Sequence, residues 1–341
     1  MDTDLPLEPD FAGLTTEEAR KLKDEDVGKA YAQLIPTDDR ALPASFWDPY
    51  SPREKVIGQR CCLLLWIVSQ YTVVPHSFQL QAAIAMITGR DVIVDVGTGY
   101  GKTFCMVIPA LYFTGRILLV VSPLKRLQVL QVLLFEKYGI GCTSINEDTP
   151  NDHALWARIE SGHFPVLIVQ PEHLSSLYKG HRTRLSKIMD ENPGFLKKIS
   201  GICIDEAHFV FTAGLDLYGV PAFRPAFGRL GSVRVRLGKS RIPVQALSGT
   251  FPPHIKEAII STLVMNKNTL LEVTLSSTKE FGPWVVACFQ ATLYRGCRGG
   301  GGVGALGGPA LAKLAASGTP FILPGTKVTL PSLFLAGGMV K

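Results

Sequence analysis

An α/β fold with a mostly parallel central sheet, covered by helices on both faces, is what this 341-residue sequence predicts for residues 61–275. Three observations predict it. Short β-branched apolar runs alternate with longer helical stretches from Phe78 to about Val273. The runs are largely continuous apolar stretches rather than alternating ones, the pattern of strands buried on both faces. Polar, chemistry-bearing residues follow the runs directly, at the carboxyl ends where functional loops of such folds lie.

The elements follow in order. Residues 1–60 read as a polar N-terminal segment punctuated by Pro, with a helix over Leu14–Leu34 opened by Thr15-Thr16-Glu17-Glu18. Residues 61–75 (CCLLLWIVSQYTVVP) form a buried helix or strand. Strands are predicted at Asp91–Val96, Arg116–Val121, Val166–Val169, Ile202–Asp205 and Val244–Ser248, with helices near 78–88, 102–113, 124–138, 151–160 and 253–264. Residues 276–341 lack such a pattern. Arg295–Gly308 reads RGCRGGGGVGALGG, so a poorly ordered glycine-rich tail is expected. No Gly-Lys-Ser/Thr closes that run, which excludes it as a phosphate loop.

Composition sets the limits. With 46% hydrophobic and 19% charged residues, the chain can bury a substantial core. The formal charge of +6 permits a polyanionic partner without requiring one. Seven cysteines at 61, 62, 105, 142, 203, 288 and 297 include no CxxC pair and no zinc spacing, so no structural zinc is expected. Cys105, Cys142 and Cys203 sit among apolar residues as small hydrophobes, which suggests a reducing compartment. The N-terminus, Met1-Asp-Thr-Asp-Leu-Pro, is acidic and lacks the apolar core of a secretory signal. The run Cys61–Val68 is too short to span a bilayer, so no membrane partner is expected.

The first motif closes the first strand: Val96-Gly97-Thr98-Gly99-Tyr100-Gly101-Lys102-Thr103, with a helix behind it. Glycines let backbone N–H groups turn inward, and the helix start favours negative charge, so the loop makes an anion cradle. Lys102 is placed for the β- and γ-phosphates of ATP, and the Thr103 hydroxyl for Mg²⁺. Val96 breaks the strict pattern G-x-x-x-x-G-K-[ST] at its first position. The second motif, Asp205-Glu206-Ala207-His208, ends the apolar strand Ile202-Cys203-Ile204. Asp205 suits a metal-bound carboxylate and Glu206 a base for the attacking water. Asn266-Lys267-Asn268-Thr269 lacks the Asp of the guanine-reading N-K-x-D. Leu247-Ser248-Gly249-Thr250-Phe251 shares only its first three residues with the L-S-G-G-Q of transport ATPases.

Taken together, Phe78–Ile260 resembles the first, RecA-like motor domain of superfamily 2 helicases, and most of all the RecQ-like, DEAD/DEAH-box branch. Phe78-Gln79, ten residues before Gly89-Arg90-Asp91, is similar to the family's adenine-reading glutamine motif. Val96–Thr103 is similar to its phosphate loop, whose first position need not be Gly. Ser122-Pro123-Leu124, with Gln131 beyond, and Gln170-Pro171-Glu172-His173-Leu174 resemble the motifs that touch the DNA backbone. Phe223-Arg224-Pro225-Ala226-Phe227 resembles the aromatic-rich loop after the DEAH box. Leu247-Ser248-Gly249-Thr250 is similar to the Ser/Thr-Ala-Thr motif that couples ATP state to strand binding.

The resemblance implies a DNA helicase of 3′–5′ polarity that uses ATP and Mg²⁺, acts on single-stranded or partly duplex DNA, and works in the nucleus or otherwise the cytoplasm. It implies that His208 links the DEAH box to the strand-binding elements. It also implies phosphate contacts through Ser122, Pro171, Lys125, Arg126 and Arg224. Two departures stand out. Gly249 replaces the family's usual Ala, and no match to the second motor domain, which supplies an arginine finger, follows residue 277. A truncated motor domain, or a gene-model artefact over residues 278–341, is the expectation. A catalytically silent nucleotide-binding fragment and an RNA-directed DEAD/DEAH enzyme are the alternatives.

Overall fold

The computed structural model describes residues 10–175, 181–237, 242–249 and 251–275. The expected glycine-rich tail, Cys288, Cys297 and Thr250 lie outside the described residues.

Two short helices begin the described chain, α1 (Thr16–Lys21) and α2 (Asp24–Leu34), where one helix over Leu14–Leu34 was expected. Thr15 caps α1, accepting from Glu18 N while the Glu18 side chain returns to the Thr15 backbone. Leu22 leaves helical geometry, and the Arg60 guanidinium fastens this corner. Its Nη1 donates to the carbonyls of Ala19 and Arg20, and its Nη2 to Leu22 O and Asp24 Oδ1, all at 2.9 Å.

Arg60 belongs to α3 (Pro52–Val68), which settles the open choice at residues 61–75 in favour of a helix. The division drawn between residues 60 and 61 falls inside it. Cys61 to Trp66 are all buried, because α3 is packed by α1 and α2 on one side and by α4 (Ser77–Ile87) and α5 (Phe104–Tyr112) on the other. A helix covered all round needs no polar face. The polar-looking N-terminal segment is therefore part of the packed body, with Arg20 Nε also donating to Leu111 O of α5 at 3.1 Å.

The sheet has seven strands: β1 (Val92–Asp95), β2 (Ile117–Val121), β3 (Cys142–Ile145), β4 (Val166–Val169), β5 (Ile199–Ile204), β6 (Val244–Ser248) and β7 (Leu271–Thr274). Their order is β3-β4-β2-β5-β6-β1-β7, and every pairing is parallel. The fold class is thus the α/β architecture read from the sequence. Helices α6 (Lys125–Lys137), α7 (His153–Glu160) and α8 (Pro171–Leu174) follow β2, β3 and β4 respectively. Parallel pairing brings the carboxyl ends of β1, β2, β4, β5 and β6 to one edge, and every motif but Phe78-Gln79, which opens α4, follows one of those ends.

At the opposite edge, Asp91 lies 1% exposed just before β1. Arg234 grips it with two N–H groups at 2.8 and 3.0 Å, and the backbone N–H groups of Val244 and Asn266 donate to it at 3.0 and 2.8 Å. This network ties β1 to β6 and to the turn before β7. The five cysteines among the described residues are free and buried. No helix of the described residues is long and apolar enough to cross a membrane.

Candidate active site and adjoining groove

β1 delivers the loop Val96–Thr103, anchored by Val96 N donating to Ser248 O of β6 at 3.1 Å. Gly99 and Gly101 have φ of +89° and +77°, the left-handed region that side chains with a Cβ seldom occupy. A Cβ on Gly101 would also lie 2.9 Å from Gln79 Nε2. Lys102 folds back over the loop, its Nζ donating to Gly97 O at 2.9 Å. Burial lowers the Lys102 pKa, opposed by the charges of Glu206 and Asp205. Thr98 lies within the turn, the Tyr100 ring packs over Gly97, and Thr103 opens α5, its carbonyl accepting from Met106 N and Val107 N.

Gln79 is buried at the start of α4, with both ends of its amide engaged. Oε1 accepts from His76 N at 2.9 Å and Nε2 donates to Gly101 O at 3.0 Å. It therefore braces the phosphate loop directly, a contact the motif alone does not reveal.

β5 delivers the DEAH box. Asp205 accepts from Gln131 Nε2 of α6 at 2.7 Å and from Glu206 N at 3.0 Å. Burial, followed by the neighbouring Glu206 charge, pushes the Asp205 carboxyl up to about 6. Glu206 itself sits at φ +49°. A non-glycine residue there stores roughly 1–3 kcal/mol of backbone strain, held in place by its surroundings. Those surroundings include Asp205 N donating to Val121 O and Ala207 N donating to Leu247 O, both at 2.9 Å. His208 Nδ1 lies 2.9 Å from Ser248 Oγ and 3.3 Å from Glu206 Oε2, so one ring nitrogen joins the box to the end of β6. A Cβ on Gly249 would lie 3.4 Å from Gly97 Cα and Thr98 N. An alanine methyl would fit there in ordinary contact with the phosphate loop, and glycine leaves that contact unmade.

Beside this centre lies a groove of about 590 Å³. Pro123 and Lys125 after β2, Glu172 after β4, and Phe223, Arg224 and Arg229 of the aromatic loop line it. Ser122 and Pro171 are buried beneath these loops. Arg224, expected at a DNA phosphate, is committed to protein. Its Nε and Nη2 donate to the two Glu172 oxygens at 2.9 and 2.8 Å and its Nη1 to Pro123 O at 2.6 Å, which locks three loops together. Lys125 is paired with Glu147 and Asp148 at 2.5 and 2.7 Å. Gln131, grouped by its motif with strand contacts, lies instead at Asp205. The aromatic pair divides: Phe227 is fully buried against Phe209 and under Arg224, while Phe223 is 86% exposed at the groove. Arg229, exposed on the groove wall, was missed in the sequence. Its position six residues past Phe223 carries no motif, and only the fold brings it to the wall.

A family model described as DEAD/DEAH box helicase matches residues 76–258, more than half of the chain. The chain belongs to the DEAD/DEAH box helicase family. RecQ-like DNA helicases are among the proteins it is similar to. It is 32% identical over 183 residues to the RecQ-like DNA helicase blm-1 of Caenorhabditis elegans, covering 52% of this chain and 17% of that protein. It is 34% identical over 175 residues to the bifunctional 3'-5' exonuclease/ATP-dependent helicase WRN of Mus musculus, covering 51% and 11%. With the ATP-dependent DNA helicase RecQ of Synechocystis it shares 28% over 193 residues, covering 55% and 37%. The chain thus spans between about a tenth and just over a third of the length of these relatives.

Proposed function

We propose that this chain binds ATP with Mg²⁺ as the first motor domain of a RecQ-like DNA helicase. One observation carries the reading: Lys102, Asp205 and Glu206 converge at one sheet edge, and His208 bridges Glu206 to Ser248. The residues fit the ligands. The loop presents backbone N–H groups at left-handed glycines, with Lys102 above them to meet phosphate oxygens. The metal donors are hard oxygens, the Thr103 hydroxyl and the Asp205 carboxylate. Among the described residues no group of three or more His, Cys, Asp or Glu could hold a metal alone. That suits Mg²⁺, which takes one or two protein oxygens and completes its shell with phosphates and water. When bound, it would neutralise charge on the β- and γ-oxygens.

Glu206 then orients and deprotonates the attacking water, and Lys102 stabilises charge as the bond to the γ-phosphate breaks. His208, held between Glu206 and Ser248, relays the position of β6 to the base. The groove takes single-stranded or partly duplex DNA, with Phe223 stacking on a base and Arg229 meeting a phosphate. Polarity 3′–5′ and a nuclear location go with this reading as part of the family resemblance. An arginine finger from a second motor domain is worth about 10³–10⁵ in rate in related NTPases. Residues 1–341 alone are therefore proposed to bind ATP but to hydrolyse it slowly and to unwind little or nothing.

The test is nucleotide binding and ATPase activity of the wild type and Lys102→Ala, with and without single-stranded DNA or RNA. Expected are ATP binding lost in Lys102→Ala by about 2–3 kcal/mol, roughly 100-fold, and turnover raised by DNA. Binding without DNA-stimulated turnover would favour the silent fragment, and stimulation by RNA alone the RNA-directed enzyme.

A further inference from the structure

Helix α6 buries two glutamines beside Phe135 and leaves two aliphatic side chains in the open. Its buried residues are Gln128, Gln131 and Phe135, whereas Val129 and Leu133 stand more than half exposed. A surface helix held only by packing selects the reverse. Nor do the glutamines gain full partners. Gln128 Nε2 and Gln131 Oε1 are buried with no hydrogen bond, as is Ser122 Oγ just before the helix. Buried polar atoms left unpaired are few in folded proteins and each asks for a reason.

Gln131 has one partner, Asp205 Oδ2 at 2.7 Å. An ionised carboxylate only accepts, so the amide must present its N–H. Gln128 Oε1 accepts from Asn146 Nδ2 at 2.7 Å, and the residues after Asn146, Glu147 and Asp148, hold Lys125 in the first turn of α6. Lys125 lines the groove. One rigid helix therefore carries a groove cation at its start and, about 9 Å further along its axis, the amide that fixes the metal-site carboxylate.

We propose that Gln131 is a positioning residue for Asp205, which it holds in the orientation Mg²⁺ requires, and that α6 passes the state of the groove to the metal site through this bond. The proposal rests on the nucleotide-binding reading above. Gln131 acts through Asp205, to which its amide is bound. The route is separate from the His208–Ser248 link, which enters the site from β6.

The experiment uses the full chain, a fluorescent non-hydrolysable ATP analogue titrated over a range of Mg²⁺, and a deoxythymidine oligomer. In Gln131→Leu, metal-free analogue binding stays at the wild-type level while the Mg²⁺ midpoint rises roughly 10-fold or more, the usual scale for losing an outer partner of a metal ligand. The fold persists, with a melting temperature lowered by no more than one lost donor to Asp205 would cost. The oligomer shifts the Mg²⁺ midpoint of the wild type and leaves that of Gln131→Leu unmoved. Gln131→Met repeats the measurement with an unbranched side chain, and Val129→Ala, on the exposed face, changes nothing. Loss of fold in both Gln131 variants would make the residue structural and overturn the proposal, as would a wild-type Mg²⁺ midpoint in either. An oligomer shift retained in the variants, or absent from the wild type, overturns the passage through α6. A wild type that binds no analogue at any Mg²⁺ concentration overturns the nucleotide reading itself, a result distinct from an unaltered variant.

Discussion

Asp91 and Asp205 stand at opposite edges of the same parallel sheet, and their surroundings differ in kind. Asp91 receives four N–H groups, two from a guanidinium and two from backbone, and is closed to water. Asp205 receives one amide and one backbone N–H, and burial, then the like charge of Glu206, pushes its carboxyl up to about 6. The amino edge of the sheet is complete in itself. The carboxyl edge carries an unmet acceptor, a crowded pair of carboxylates and a strained Glu206, features that a cation and a phosphate chain would resolve. On the reading proposed above, the difference separates charge that holds the fold from charge that serves the nucleotide site.

Three substitutions can break or sharpen this contrast. Asp91→Ala is expected to have the largest effect, a loss of about 3–5 kcal/mol in urea unfolding, since it leaves Arg234 buried without its anion. An unchanged midpoint would remove Asp91 from its structural role. Asp205→Asn is expected to act the other way, stabilising the ligand-free chain by about 1–2 kcal/mol at about pH 8 while abolishing Mg²⁺-dependent nucleotide binding. The sign follows from the raised pKa. The folded state holds the proton up to about pH 6 and the unfolded state only to about 3.8. Ionisation therefore weakens the fold above that window, and the advantage of Asn should fade as pH falls through it. A gain that instead grew toward acid would contradict this. Phe223→Ala is expected to move stability least, within about 0.5 kcal/mol, yet to weaken binding of single-stranded DNA by about 1–3 kcal/mol. Fluorescence anisotropy with a labelled oligomer checks it, and a destabilised variant with unchanged binding would count against the exposed tip.

The sequence revealed whatever was continuous along the chain. Five strands were legible because each is dominated by apolar residues and almost wholly buried. β3 and β7 were not. Cys142–Ile145 and Leu271–Thr274 are short edge strands with Thr, Ser and Glu in them, and one open side removes the need for apolar residues there. The phosphate loop and DEAH box were legible because their chemistry depends on consecutive residues. What escaped was partnership across distance. Nothing in the vicinity of Arg224 announces that Glu172, 52 residues earlier, takes its guanidinium. Lys125 reads as a free cation until β3 brings Glu147 and Asp148 to it. Gln131 reads as one polar residue in a leucine-rich helix, and only the fold shows it reaching Asp205, 74 residues on. Phe223 and Phe227 have the same side chain four positions apart, and packing alone decides that one is core and the other tip.

The placement of β1 bears on how this protein is born. The strand that carries the phosphate loop lies between β6 and β7, and its anchor Asp91 waits for backbone groups 153 and 175 residues further along. At about 5–20 residues per second, ribosomes need roughly 10–35 s to supply them. During that interval the β2, β3, β4 and β5 layer can assemble while the loop strand remains without either neighbour. On the reading proposed above, a nascent chain should therefore acquire nucleotide affinity late and abruptly, when β7 emerges, and until then the apolar β1 would depend on chaperones for cover.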